Sequence, residues 1–80
     1  MASCAHPTDA EIVAAMWALA EARAGKTFCP SEVARRVAQD WRPLMPRVRA
    51  LSKAQGLRAT QRGQAVDAEN ARGPIRLGKP

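Results

Sequence analysis

Residues 29–63 read CPSEVARRVAQDWRPLMPRVRALSKAQGLRATQRG. Pro30 suits the first position of a helix, where its missing N–H costs nothing. Cys29 then becomes the N-cap and Glu32 the third helical residue, placed to accept from the N-cap amide and to complement the helix dipole. Val33, Ala34 and Val37 face inward, Ser31, Arg35 and Gln39 outward, and a helix is predicted over 30–39. Asp40-Trp41-Arg42-Pro43 is the turn into a third helix, where Leu44, Val48 and Leu51 recur at i, i+4 and i+7. Pro46 sits at the edge of the region that tolerates a missing N–H, so the first turn of that helix is predicted to be 3₁₀ or irregular. Gly56 ends it as a C-cap glycine. After Gly56 the period shortens. Leu57, Ala59 and Gln61 alternate with Arg58, Thr60 and Arg62, a strand pattern, and Arg62-Gly63 is a turn or bulge signal.

The flanks extend this order. Thr8-Asp9-Ala10-Glu11 is a capping box. Behind it Ile12, Met16 and Leu19 share one helical face, Val13 and Ala20 widen it, and Gly25 is the stop. The first helix is predicted over 9–23. Lys26-Thr27-Phe28 is a connector with room for one β-bridge. Downstream, 67–73 is polar and loop-like, and Pro74-Ile75-Arg76-Leu77 is a second short strand whose natural partner begins at Leu57. The fold class that follows is mainly α with a small β-hairpin, a winged helix-turn-helix of three helices plus a wing. One domain over 8–77 is expected, with flexible tails at 1–7 and 78–80. The expected core is thin: Ile12, Met16, Leu19, Val33, Val37, Val48, Leu51 and Leu57.

Several fragments carry a family resemblance: Cys29-Pro-Ser-Glu-Val-Ala-Arg35, Trp41-Arg-Pro-Leu-Met45, Val48-Arg49, Gln61-Arg-Gly63, Val66-Asp67 and Gly73-Pro-Ile-Arg76. Together they span most of residues 12–77. In this combination the chain resembles a bacterial family of small winged-helix proteins catalogued only as a domain of unknown function. The resemblance implies a fold. It transfers no activity and no site residues.

Composition narrows the function. Eighty residues with one Phe, two Trp and no Tyr make one small domain. A cleft walled on all sides is hard to build at this size, and no enzyme is expected. His6 is the only histidine, and no Gly-rich phosphate loop or paired carboxylate cluster is present. Cys29 at a helix N-terminus has no second histidine to act as its base. Cys4, His6 and Cys29 are one ligand short of a structural zinc set, and a Cys4–Cys29 disulfide does not suit the cytoplasm. No cofactor or metal is expected. The first fifteen residues lack the pattern of a signal peptide and no stretch approaches a membrane span, so a cytoplasmic location is expected.

The charge is uneven. The net charge is +6; residues 1–40 hold four Lys/Arg against five Asp/Glu, and residues 41–80 hold nine against two. Such a split points to a polyanion. At 100° per residue Arg49 and Lys53 lie opposite the Leu44/Val48/Leu51 stripe, Arg42 joins them and Arg47 flanks them. The hairpin adds Arg58, Arg62, Arg72 and Arg76. In a helix-turn-helix the second helix of the motif enters the major groove, here the third helix of the chain. Ser52 and Gln55 are its only uncharged polar readers, and Gln55 counts to the core side. Phosphate contact is therefore expected ahead of base readout. The partner expected is nucleic acid, DNA before RNA, in a role such as transcriptional regulation.

A protein-interaction module is the alternative on the same fold. Trp17 stands off the core stripe on a small apolar face with Ala14 and Ala18, a candidate dimer contact; otherwise it packs on a strand or the C-terminal tail. Trp41 reads as a plug between helices two and three, with base stacking as the sharper alternative.

Overall fold

The computed structural model describes residues 7–80. Cys4 and His6, and with them the zinc and disulfide alternatives, lie outside the described residues. Helix α1 (Asp9–Ala22) opens on the capping box: Thr8 Oγ1 accepts from the Glu11 amide at 3.1 Å and Glu11 Oε1 from the Thr8 amide at 2.8 Å. Helix α2 (Pro30–Val37) begins at Cys29, whose amide donates to Glu32 Oε2 at 3.1 Å. It stops two residues short of the predicted end, because Ala38 leaves in an extended conformation and is itself buried. A 3₁₀ turn (Arg42–Leu44) precedes helix α3 (Met45–Ala54), so Pro46 falls in the first turn, where no N–H is required. Gly56 takes φ +77; its amide bonds to Lys53 O and that of Leu57 to Ser52 O. These two bonds form a Schellman motif, which buries Leu57 as its hydrophobic contact.

Strand β1 (Arg58–Gln61) is the centre of a three-stranded antiparallel sheet, flanked by β2 (Gln64–Ala65) and β3 (Arg76–Gly78). The predicted pairing of the Leu57 and Leu77 segments is present: Ala59 faces Leu77 and Thr60 faces Arg76. Strand β2 has no counterpart among the predicted elements, since two residues are too few to show an alternation. The connector supplies its single bridge, Phe28 to Leu77. Three helices and this sheet make the expected winged-helix arrangement. The wing is the long excursion from Arg62 to Ile75 between β1 and β3.

Ile12, Met16, Leu19, Val33, Val48 and Leu57 are buried as expected. Val37 and Leu51 are only half-buried against that cluster. Phe28, Ile75 and Leu77 complete it, all buried, and join the sheet to the helices. The ordered chain extends past the expected tail boundaries. Pro7 is buried, Gly78 pairs with Arg58 within the sheet, and Lys79 Nζ bonds to Glu21 Oε1 at 3.1 Å. Strand pairing needs backbone alone, so a glycine continues β3 where side chains give no sign of it. No helix among the described residues is long and apolar enough to cross a membrane.

Candidate nucleic-acid interface

The core line of α3 runs through Leu44, Val48 and Ser52, not Leu44, Val48 and Leu51. This turns the helix relative to the sequence count. Ser52 is fully buried and its hydroxyl donates to Arg49 O at 2.7 Å. Gln55, placed on the core side by the count, is exposed, and its Oε1 accepts from Trp17 Nε1 at 3.0 Å. Neither is a free base reader. Trp17 is thereby tied to the end of α3 and half-buried against the core cluster, while Ala14 and Ala18 remain exposed.

The same rotation brings Arg49 to the flank of the core. Its guanidinium is not a solvent-facing cation. Nη1 donates to Ala71 O at 2.6 Å and Nη2 to Gly73 O at 2.7 Å. A planar fork that spans two carbonyls is a staple, and it fastens the wing to α3. Lys53 pairs with Asp67 at 3.1 Å and lies 3.8 Å from Glu69. Arg47 bonds to Asp9 Oδ1 and to Pro7 O, closing α3 onto the start of α1. The basic stripe expected on α3 is therefore largely engaged within the molecule.

Asp67 organises the far side of the wing. Its carboxylate accepts from Asn70 Nδ2 at 2.8 Å, from Lys53 and from the Glu69 amide. The Asn70 bond first, then the Lys53 ammonium, hold its pKa down at about 2. The same pair, through the Asp67 hydrogen bond, raises that of Lys53. Glu32 is likewise held below the ordinary carboxylate range, chiefly by the Cys29 amide and then by Arg23, whose guanidinium lies 2.5 Å away. Arg76 donates to Thr27 Oγ1 and O, both at 3.0 Å, which ties β3 to the connector.

What remains is a different set of cations, with Lys26 on the connector and Arg36 on α2 exposed as well. Arg58, Arg62 and Arg72 are exposed, and their side chains have no polar partner among the described residues. Arg58 shares the outer sheet face with Thr60 and Arg76, since Ala59 and Leu77 point inward. Arg42 stacks on Trp41, its guanidinium carbon 4.6 Å from the ring centroid. Arg35 of α2 does the same at 4.5 Å. Trp41 is half-buried against the core cluster and its ring also carries two cations. Arg35 has no assignment from the sequence because six residues separate it from Trp41; only the turn after α2 brings them together.

Residues 9–80, nearly the whole described domain, match one family model. The chain belongs to the family described as "Protein of unknown function (DUF3253)". No curated protein matches it. In this DUF3253 domain no group of three or more His, Cys, Asp or Glu side chains among the described residues is placed to hold a metal. Cys29 is half-buried and its Sγ accepts from Ser31 Oγ at 3.1 Å.

Proposed function

We propose that this domain is a non-catalytic nucleic-acid-binding module of the cytoplasm that takes duplex DNA ahead of RNA, through phosphate contacts, with transcriptional regulation as the process it would serve. One observation carries the reading. Beside the five ion pairs of the described residues, three arginines of the wing region (Arg58, Arg62 and Arg72) have no polar partner among those residues. An exposed, unpaired guanidinium is the group that phosphate oxygens recognise best. Arg49 adds support by holding the wing in place, so its cations are presented from a fixed frame. The engagement of Ser52 and Gln55 within the molecule favours backbone contact over sequence readout.

The test is a titration of a short labelled duplex at two salt concentrations. Replacing Arg58 and Arg72 together by Ala should flatten the log–log salt slope by about two units, near one for each phosphate no longer neutralised. Absence of salt-dependent binding by the natural chain at low salt would refute the reading. Self-association through the outer face of α1 is the second reading, favoured by the exposure of Ala14 and Ala18. Sedimentation showing a dimer, in a protein that fails to bind duplex, would select it.

A further inference from the structure

Arg62 has φ +53 and the following Gly63 has φ +81, while Gln61 and Gln64 pair directly on either side. This is a two-residue hairpin with positive φ at both central positions, the type I′ turn. Asn, Asp and Gly occupy its first central position with little penalty, whereas the Cβ of a long L-residue crowds the backbone there. Arginine is thus a costly choice. Nothing among the described residues offsets it, because the Arg62 side chain is exposed and has no polar partner there. Backbone strain kept without an internal return is a mark of a working residue.

The surroundings indicate the work. A groove of about 830 Å³ runs between this turn and the segment returning to β3. Arg62 lines it from the turn and Arg72 from the returning segment, with Gln64 and Pro74 along it and no carboxylate in its lining. Its walls are held in place by hydrogen bonds to the returning segment. Gln61 Nε2 donates to Arg72 O and, at 3.1 Å, to Pro74 O, and Arg49 clamps the carbonyls of Ala71 and Gly73. The segment that carries Arg72 is thereby fixed in position relative to the turn. Two arginines on a preformed groove free of acids match a phosphodiester, whose oxygens accept paired N–H bonds from a guanidinium fork.

We infer that this groove is where the wing grips the sugar–phosphate backbone, with Arg62 and Arg72 as the phosphate ligands, and that the left-handed backbone at Arg62 is retained to deliver its guanidinium there. The inference rests on the nucleic-acid reading above and assigns it a particular site.

Arg62→Asn separates the two roles of the residue, since Asn accepts the turn but carries no charge to neutralise a phosphate. The variant should melt at or above the temperature of the natural chain. Its log–log salt slope for a short labelled duplex should fall by about one unit. Arg72→Ala should lower the slope equally, and Arg62→Lys, which keeps the charge, should preserve it. Lys26→Ala, a cation on the connector next to β3 at the opposite edge of the sheet, should leave it unchanged. An unchanged slope in Arg62→Asn, with duplex binding intact in the natural chain, would overturn this site and leave the general reading standing. A lower melting temperature for Arg62→Asn would overturn the strain argument. Failure of the natural chain to bind duplex would overturn both.

Discussion

Replacing Arg49 by Ala tests whether this residue is a staple or a surface cation. The side chain makes two charge-assisted bonds, at 2.6 Å to Ala71 O and 2.7 Å to Gly73 O. Bonds of this kind contribute about 1.5–3 kcal/mol each, and most of that is felt when a carbonyl is left without a partner. Gly73 is exposed and can recruit water, so only part of the second bond's contribution disappears. A net cost of about 2–3 kcal/mol follows. A domain of this length has a total stability on the order of 4–12 kcal/mol. Since each kcal/mol shifts the melting temperature of such a domain by about 4–8 °C, a drop of about 10–20 °C is expected. Circular dichroism on heating measures it, and amide exchange should show faster opening at 71–74. Arg49→Lys should recover only part of the loss, because an ammonium lacks the planar fork. In duplex titration the Ala variant should bind less tightly with its salt slope unchanged, since Arg49 neutralises no phosphate. A melting temperature within about 2 °C of the natural chain, coupled to a lower salt slope, would refute the staple and return Arg49 to the basic face.

Two further outcomes follow from the rest of the framework. Asp67 has its pKa depressed to about 2 from an ordinary 3.8, so the stability contributed by its ionised form is fully present above pH 3.8 and is lost as the pH falls toward 2. Asp67→Asn should flatten the melting-temperature profile across that window, and an unchanged acid limb would count against the Lys53–Asp67–Asn70 cluster as a stabilising unit. Phe28→Ala removes the largest fully buried side chain, the one residue that bridges to β3 from between two helices. The cost should be about 3–5 kcal/mol, a large share of the total, and chemical denaturation should show a midpoint shifted accordingly; a loss below about 1 kcal/mol would mean the site collapses around the gap.

The cation–aromatic pairings show how folding reassigns charge. In sequence Arg42, Arg49 and Lys53 form one stripe, yet each meets a different fate: stacked on Trp41, fastened to carbonyls, and paired with two acids. The unpaired arginines C-terminal to α3 lie on β1 and the wing, Arg58, Arg62 and Arg72, and the helix contributes mainly support. The α1 face is legible to a point. Periodicity places Trp17 off the core stripe, but its partner Gln55, 38 residues away, is not visible in it.

The sequence by itself determined the order of elements and most of their ends. Thr8 with Glu11, Pro30 with Glu32, the proline-rich entry to α3 and Gly56 all act within a few residues of themselves, so their bonds are written in local spacing. It also determined the winged-helix class, because the change from a helical to a two-residue period after Gly56 needs no knowledge of contacts. Only the tertiary structure decided which cations are available to a partner. That choice depended on a rotation of α3 that substituted Ser52 for Leu51 on the core line. It depended equally on bonds spanning 22 and 24 residues, from Arg49 to Ala71 and to Gly73. Periodicity records which face of a helix is apolar; it carries no information about which carbonyl another segment will bring to the opposite face.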